Sequence, residues 1–564
     1  IFNIFLYRIT GDKDIVVGTV RAQRDLNEIE NILGLLHNNI AIRSKLSSDL
    51  KFNQLLTQTN EKVIEATTNS GYSFDQLVDK LNPQRDMSRS PIFNVLFQIF
   101  NQIDKKISFN NLNLDFKPTP KNETTQFDLR CVAFENKQNI GFLFNYNSDL
   151  FNQSTIKSFL ESFSELISQI NKNSDQNIDN LSLVSKPQQQ KLLQDFNNTD
   201  KPYPKDKTIH QLFEEQVKKT PNNTAVEFKD KKLTYLELNQ RANQLANYLR
   251  DNHNIKPDNI IALMTDRSLE IVIGILGILK AGGAYLPIDK TNPKKRIDNI
   301  LKHSQSTLLI YDKENEIKNL KNAKSKLNIY SQEISKQDKA DLNNLNKPND
   351  LSQIIYTSGS TGEPKASLLN HKGVINHAVT KNNILNLNSE SNISQNLSLN
   401  FVASIWQFIS PFIKGAKLTI YPEETTKDPF KLFKSIKEDK INILEIPPQL
   451  LSTYLNTKTK DKDYLKYNNL KNLILTGEPI PLSLIKKFYR KYKIPIVNAY
   501  GQAECSDDTL HFKINSKEKI KEEYITIPAG LPTNNTQAYI LDKNLKLLPQ
   551  GIPGELYISG DGLA

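Results

Sequence analysis

The residues best suited to chemistry lie in one short run, residues 356–365, which directly follows the apolar pair Ile354 and Ile355. The interior of this run holds small hydroxyl residues and two glycines, so its backbone N–H groups can approach an anion closely. Lys365 adds a mobile positive charge. The run therefore predicts a loop that binds a polyphosphate after a strand. Its spacing is not that of the G-x-x-x-x-G-K-[ST] loop, and a flexible Gly/Ser turn is the alternative interpretation.

Alternating elements surround this run. Thr234 and Glu237 form a capping box, which predicts the start of a helix. Further along, strand-like apolar runs alternate with helical ones, including a predicted helix at 269–280. This alternation favours an α/β fold with layers around a largely parallel sheet. The strand-like runs are residues 260–263, 308–310, 354–356, 443–444, 473–475 and 496–497.

Residues 1–185 form a separate block. Its strand-like runs lie at 15–17, 94–97 and 140–144, and its helical patterns at 26–36 and 154–170. Residues 186–207 are polar and rich in proline, and they predict a linker to the second block, residues 208–564.

The two ends of the sequence suggest a longer protein. Residues 1–6 are apolar, have no Met and no basic region, and are interpreted as a strand entered partway rather than as a signal peptide. Because both ends look cut, we expect the chain to be a piece of a longer protein.

Composition limits the class of protein further. Of the 564 residues, 38% are hydrophobic, which is enough for folded cores and excludes wholesale disorder. The net charge of +11 is dilute, and no basic run carries interleaved aromatic residues, so neither nucleic acid nor a membrane surface is an expected partner. Cys131 and Cys505 are the two cysteines, which excludes a disulfide scaffold. No apolar run approaches the ~20 residues of a membrane span.

Five motifs in order resemble those of the adenylation domains of nonribosomal peptide synthetases, which are adenylate-forming enzymes. The loop at 356–365 looks like the phosphate-binding motif of that family. The other four are LTYLEL at 233–238, LKAGGAYLPID at 279–289, NAYGQAE at 498–504 and GELYISGDGLA at 554–564. The resemblance implies the N-terminal core of an adenylate-forming enzyme over residues 208–564, truncated before its C-terminal subdomain.

The first block resembles the C-terminal lobe of a condensation domain, which has a chloramphenicol-acetyltransferase-like fold. The run RDMSRSP at 85–91 looks like the R-D-x-S-R-x-P motif of that family, and residues 72–75 and 15–18 match two further positions. No two of the seven histidines are adjacent, so the H-H-x-x-x-D-G motif is absent. Condensation by this chain alone is therefore not expected.

The resemblance implies a two-stage reaction in a cytoplasmic enzyme. A carboxylate attacks the α-phosphate of ATP, and the adenylate passes to a phosphopantetheine thiol on a carrier domain outside the chain. Lys365 and Glu504 would be the catalytic residues, and Glu504 would also bind Mg²⁺. Tyr500 would pack on the adenine. The other positions implied to bind ATP are Thr357, Ser358, Gly359, Ser360, Thr361, Gly362, Ala499, Gly501 and Ala503.

The same resemblance implies a substrate pocket. Its residues would be Val402, Ala403, Trp406, Glu445, Ile474, Thr476, Ala499, Asp507 and Asp508. This set resembles pockets for diamino acids such as 2,4-diaminobutyrate. Carboxylates in a half-buried cleft also require a cationic partner, because an unpaired buried charge is costly. A cationic amino acid is therefore the predicted substrate, although the three acids could instead form a solvent-facing rim.

Three departures from the family keep other functions open. Val402 stands where the family has the aspartate that pairs with the substrate's α-ammonium group, and Ala503 and Ala366 replace the usual Thr and Gly. Loss of the aspartate suits a keto or hydroxy acid, an amine placed away from the α-carbon, or a decayed domain. The alternatives are therefore an acyl-CoA-ligase-like enzyme for another carboxylic acid and a non-catalytic scaffold.

Overall fold

The computed structural model describes residues 1–24, 27–29, 32–34, 36–84, 86, 89–101, 124–135, 139–357, 365–457, 463–466, 468–515 and 524–564. The chain divides into two compact units. The first contains residues 1–195 together with 539–557, and the second contains residues 196–538 together with 558–564. None of the helices in these ranges is both long enough and apolar enough to span a bilayer.

The first unit is built on a five-stranded sheet and the helices that pack on it. Its strands are β1 Asp14–Ala22, β2 His37–Lys45, β3 Val95–Asn101, β4 Leu129–Glu135 and β5 Ile140–Tyr146. Its α-helices are α1 Phe2–Thr10, α2 Phe52–Thr68, α3 Phe74–Leu81, α4 Gln153–Lys172 and α5 Lys186–Gln190. The strand order is β2-β1-β3-β4-β5, in which β1 and β3 run parallel, as do β3 and β4.

Helix α4 confirms the predicted helical pattern at 154–170. The residues on its predicted apolar face are all buried: Ile156, Phe159, Phe163, Leu166 and Ile170. The rings of Phe159 and Phe163 lie 5.3 Å and 5.9 Å from that of Phe5 on α1, in edge-to-face contacts. Edge-to-face contacts of this kind between aromatic rings provide much of the packing in the core of the first unit.

Two predictions for the first unit are wrong. Residues 1–6 form the start of helix α1 rather than a strand. They are apolar at nearly every position because the helix is buried almost all round, and such a run has no periodicity that separates helix from strand. Within 26–36, the described residues contain only a 3₁₀ turn, Asn27–Ile29.

The segment predicted as a linker is helical in its first half. Helix α5 begins after Ser185, whose side chain takes part in a capping box with Gln188, and a π-helical turn, Lys191–Asp195, continues it. The capping pair offsets the low helix propensity of this polar, proline-containing run. Residues 196–208 then follow without a helix or a strand.

Residues 539–557 complete the core of the first unit. Leu548 and Ile552 are buried in the same apolar cluster as Phe5 and Leu166. The side chain of Arg8, 3% exposed, forms an ion pair with Asp542 at 2.9 Å. Apolar and ionic contacts thus hold residues 539–557, which are distant in sequence, against helix α1.

The second unit contains two main sheets. The strands of the first are β8 Ile260–Met264, β9 Ala284–Pro287, β10 Leu308–Tyr311, β11 Lys326–Asn328, β12 Leu351–Thr357 and β13 Lys365–Asn370, in the order β11-β10-β8-β9-β12-β13. Those of the second are β6 Thr224–Phe228, β7 Lys231–Thr234, β14 Asn392–Gln395, β15 Lys417–Ile420, β16 Ile443–Ile446, β17 Asn472–Thr476, β18 Ile496–Gln502, β19 Asp507–Ile514 and β20 Leu531–Pro532. The order of this sheet is β20-β19-β18-β17-β16-β14-β15-β6-β7. Strands β21 Thr536–Leu541 and β22 Glu555–Gly560 pair with each other.

Helices cover these sheets. They are α6 Ile209–Lys219, α7 Tyr235–His253, α8 Leu269–Ala281, α9 Lys294–Ser304, α10 Glu314–Ile317, α11 Gln332–Ser335, α12 His371–Leu385, α13 Ser404–Lys414, α14 Glu423–Thr426, α15 Pro429–Glu438, α16 Pro448–Asn456 and α17 Leu482–Tyr489. The strand-like runs predicted in this unit all lie in strands, and the central pairs of both sheets are parallel. Thr234 caps α7 and bonds reciprocally with Glu237. The predicted α/β fold is confirmed.

Candidate substrate and nucleotide site

The predicted phosphate loop connects two adjacent antiparallel strands. Strand β12 ends at Thr357 and β13 begins at Lys365, and these two residues are partners across the ladder. The ends of the loop are therefore held together, with the exposed Lys365 at its exit. The five other loop residues predicted to bind phosphate lie outside the described residues: Ser358, Gly359, Ser360, Thr361 and Gly362.

The end of β18 presents a second group of predicted nucleotide-binding residues. Ala499 and Ala503 are buried, whereas the Tyr500 side chain is 45% exposed. Glu504 is exposed in the short 3₁₀ turn Ala503–Cys505 that follows the strand. An exposed aromatic ring suits stacking on a nucleobase, and an exposed carboxylate is a hard oxygen donor of the kind that Mg²⁺ prefers. The chemistry of this donor set therefore fits ATP with Mg²⁺.

The turn after Glu504 brings two acids into the interior. Ser506 and Asp507 have positive φ angles of 59° and 107°. Residues other than glycine adopt such backbone angles only at an energetic cost. Gly501, on the adjacent strand, passes so close that an added Cβ would lie 1.9 Å from the carbonyl oxygen of Asp507. Glycine is thus required at 501 because the backbone of the turn occupies the space of a side chain.

Sheet register brings the predicted pocket residues together. Glu445 on β16 is opposite Ile474 on β17, and Thr476 is opposite Ala499 on β18. Trp406, on the first turn of α13, is buried and its indole N–H donates a hydrogen bond to the Glu445 carboxylate. Val402 and Ala403 are also buried, just before α13. Strand pairing and this hydrogen bond therefore bring five of the predicted pocket residues together: Trp406, Glu445, Ile474, Thr476 and Ala499.

The three acids of this set are enclosed. Glu445, Asp507 and Asp508 are 0%, 2% and 3% exposed, so the alternative of a solvent-facing acidic rim is wrong. A fully buried lysine, Lys381 on α12, lies among them. Its ammonium group forms an ion pair with Asp508 and lies 3.6 Å from Glu445 Oε2 and 5.0 Å from the centre of the Trp406 ring. The acids therefore already have one cationic partner within the protein.

Two histidines complete the cluster. His511 Nε2 lies 3.0 Å from Asp508 Oδ2, a distance at which the ring N–H donates to the carboxylate. His377 Nε2 accepts the backbone N–H of Asp508 at 3.4 Å, so this nitrogen carries no proton. Burial lowers the pKa of His377 to about 4 and also lowers that of His511. Both rings are therefore neutral near pH 7.

The carboxyl groups titrate very differently from one another. Burial raises the pKa of Glu445 to about 7 although the charge of Lys381 opposes it, and burial with the charge of Asp508 raises the pKa of Asp507 well above its usual value. Burial also acts to raise the pKa of Asp508, but the charge of Lys381 and the hydrogen bond from His511 outweigh it and hold this pKa well below its usual range. Lys381 in turn keeps its proton, since its acidic neighbours raise its pKa in spite of burial.

This arrangement is an ion-pair network. The ligand atoms of His377, Asp507 and Asp508 lie within 4.8 Å of one another, as in some metal sites. The ammonium group of Lys381, however, already neutralises Asp508. The cluster thus holds one complete ion pair, between Lys381 and Asp508, and two further carboxyl groups, Glu445 and Asp507, whose pKa values burial raises.

Sequence reasoning missed Lys381, His377 and His511. A signal was available, because His377 and Lys381 are four residues apart and therefore share one face of α12, a helix whose residues are mostly buried. Two basic residues on one face of a buried helix indicate an acidic partner. His511 is three residues after Asp508 on β19 and carried no comparable signal.

Comparison with known proteins agrees with this architecture. Residues 213–564 match the family described as AMP-binding enzyme, and residues 1–193 match the family described as condensation domain. The chain is 32% identical over 572 residues to tyrocidine synthase 3 of Brevibacillus parabrevis and 35% identical over 569 residues to gramicidin S synthase 2 of Brevibacillus brevis. These alignments cover 100% of the chain and 8% and 13% of the two relatives.

A solved structure gives the same result for the fold. The chain is similar to the holo form of a four-domain nonribosomal peptide synthetase bound to AMP and glycine, with a TM-score of 0.85 and 23% identity. The match covers 100% of this chain and 42% of that one. With its two domains in the condensation–adenylation arrangement of nonribosomal peptide synthetases, the chain belongs to the family of AMP-binding enzymes.

Proposed function

We propose that the second unit activates an amino acid with ATP to form an aminoacyl-adenylate, which then passes to the phosphopantetheine thiol of a carrier domain. The observation that supports this reaction best is the placement of the predicted pocket residues beside the end of β18, where Tyr500 and Glu504 remain accessible. ATP would supply the leaving pyrophosphate, and the thiol would come from a domain outside this chain.

In this proposal each residue has a limited task. Lys365, at the exit of the loop between β12 and β13, stabilises negative charge on the phosphates. Glu504 would hold Mg²⁺, and Tyr500 would stack on the adenine ring. Catalysis then rests on positioning and charge stabilisation, and no covalent step on the protein is required.

We further propose that the substrate carries a cationic side chain, with 2,4-diaminobutyrate as the model compound. Three buried carboxyl groups face one buried ammonium group, so the cluster has acidic groups left over. Atoms Glu445 Oε1 and Asp507 Oδ2 have no hydrogen-bond partner among the described residues. Buried acceptors without a donor are costly, and a substrate ammonium group would supply the donor.

Val402 supports a second candidate. It is buried and apolar at the position where the resembling family has an aspartate for the α-ammonium group. A substrate whose only amine lies away from the α-carbon, or a 2-keto or 2-hydroxy acid, would not need that aspartate. This candidate shares the adenylation chemistry and differs only in what lies next to the carboxylate.

Substrate-dependent pyrophosphate exchange by the full-length protein tests these proposals. We expect exchange with 2,4-diaminobutyrate at least ~10-fold faster than with 2-aminobutyrate, which has the same carbon chain without the second amine. Equal rates with leucine or phenylalanine and none with diaminobutyrate would contradict the cationic substrate. Faster exchange with 4-aminobutyrate or a 2-keto acid would favour the second candidate.

The variant Glu504→Gln tests the catalytic assignment in the same assay. We expect it to lower exchange at least ~10-fold and to raise the Mg²⁺ concentration needed for half-maximal rate, because it removes one anionic oxygen donor. Glu438→Gln, which alters an exposed glutamate at the end of α15, is the matched control. Equal Mg²⁺ dependence in the two variants would remove Glu504 from the proposed metal site.

A further inference from the structure

Lys381 is unusual among the charged residues of the second unit because it is enclosed by the residues predicted to recognise the substrate. Its side chain is 1% exposed. It extends from α12 past the Trp406 ring to Asp508, and its ammonium group remains 3.6 Å from Glu445. Fully buried lysines are rare and are nearly always paired. This residue therefore affects which charges the pocket presents.

The contacts of Lys381 divide the three acids into two groups. Asp508 receives the ammonium group of Lys381 and a hydrogen bond from His511, so its charge is compensated within the protein. Glu445 accepts a hydrogen bond from the Trp406 indole, but its other oxygen has no hydrogen-bond partner among the described residues. Asp507 Oδ2 and the second oxygen of Asp508, Oδ1, are in the same condition. The acids therefore differ in their closeness to Lys381, which is in direct contact with Asp508 and lies 3.6 Å from Glu445.

We propose that Lys381 is a specificity-determining residue, which neutralises Asp508 and thereby leaves Glu445 and Asp507 for one, and only one, cationic group of the substrate. This inference rests on the proposed function. It states how many positive charges on the substrate side chain the pocket accepts. A neutral side chain leaves Glu445 Oε1 and Asp507 Oδ2 without a donor, and a second substrate cation finds Asp508 already paired with Lys381. Selectivity for a substrate with a single side-chain cation thus depends on the ion pair between Lys381 and Asp508, which the substrate itself does not contact.

The test is a pair of variants measured by their selectivity rather than by their rate. In Asp508→Asn, Lys381 loses its partner and turns to Glu445, where it competes with the substrate cation. We expect the ratio of kcat/KM for 2,4-diaminobutyrate over 2-aminobutyrate to fall at least ~10-fold. In the double variant Lys381→Met/Asp508→Asn, both members of the ion pair are neutral and Glu445 and Asp507 are again available. We expect its ratio to return to within about 3-fold of the wild-type value.

The double variant also keeps the test valid if a single change destabilises the protein. Lys381→Met alone leaves Asp508 buried without a counter-ion and is the variant most at risk of misfolding. Thermal unfolding of every variant separates loss of fold from loss of selectivity, because a purely structural role changes the rates with both substrates equally.

Two results with the variants would overturn the inference. One is an unchanged ratio in Asp508→Asn, and the other is a double variant that fails to regain selectivity while remaining folded. A wild-type protein that prefers 2-aminobutyrate would also overturn it. Failure of the proposed function is distinguishable, since it would appear as the absence of exchange by the wild-type protein with every amino acid tested.

Discussion

Replacement of Glu445 by glutamine should change how the stability of the second unit depends on pH. Glu445 is 0% exposed, and its carboxylate accepts the Trp406 indole N–H. Burial raises its pKa from 4.5 to about 7, against the opposing charge of Lys381. The folded protein therefore holds this proton more tightly than the unfolded chain does. Its contribution to stability is complete below pH 4.5 and is lost as the pH rises toward 7.

The size of the effect follows from the same shift. Between the two pKa values the free energy of unfolding falls by ~1.4 kcal/mol per pH unit through this one group, or about 2 kcal/mol from pH 5.5 to pH 7. Of the other groups that face Glu445, Asp507 has a raised pKa but is present in wild type and variant alike, and the remaining three keep one charge state over this range. Lys381 stays protonated, Asp508 stays ionised and His377 stays neutral. Glu445→Gln has no proton to lose, so it should gain about 2 kcal/mol on wild type over this interval.

The assay uses the single tryptophan of the chain, Trp406, which contacts Glu445 directly. Urea unfolding of wild type and Glu445→Gln, followed by tryptophan fluorescence at pH 5.5 and pH 7, measures the difference in stability of the second unit. Without urea, wild-type emission should titrate with a midpoint near 7, and the variant should not. Glu438→Gln should behave as wild type does. A wild-type emission that is flat from pH 5.5 to pH 8, with a constant stability difference, would refute the reasoning.

Two further predictions concern backbone packing and a buried ion pair. Gly501→Ala places a Cβ 1.9 Å from a carbonyl oxygen and should lower the free energy of unfolding by at least ~2 kcal/mol, with loss of pyrophosphate exchange, whereas Gly71→Ala meets nothing within 4 Å and should do neither. Similar stabilities of the two variants would contradict the close contact at 501. Arg8→Ala removes the buried partner of Asp542, whose own side chain is 12% exposed, and should cost about 3–5 kcal/mol in the first unit, measured by hydrogen exchange of helix α1. Arg43→Ala, which breaks an exposed ion pair, should cost less than about 1 kcal/mol, and equal losses would show that burial of the pair does not matter.

The helices and strands of the second unit were predicted well because the patterns that indicate them span only a few neighbouring residues. The capping pair Thr234 and Glu237 starts α7 where the pattern indicates, and the short apolar runs lie in strands of two largely parallel sheets. Where a run is buried on all sides, as at residues 1–6, the periodicity disappears and the prediction of a strand failed.

The charge balance of the pocket could not be read in the same way. Lys381 and Asp508 are far apart in sequence, on α12 and β19, and only the fold makes them an ion pair. The sequence predicts carboxyl groups in a half-buried cleft that require a cation, whereas the structure buries all three acids. The protein itself supplies the first cation, and this contact depends on the tertiary structure. The relevant number is therefore how many acids remain unpaired, rather than how many acids the pocket contains.

The membership of residues 539–557 in the first unit also bears on recombination between related chains. A single crossover near residue 195 would separate α1 from Asp542, Leu548 and Ile552, and so divide one hydrophobic core between two parents. A chimera that exchanges only residues 196–538 uses two crossovers and inherits the first unit whole. The pocket, with Lys381, Glu445 and Asp508, lies entirely inside that interval, so a new specificity can be grafted without touching the core that α1 completes.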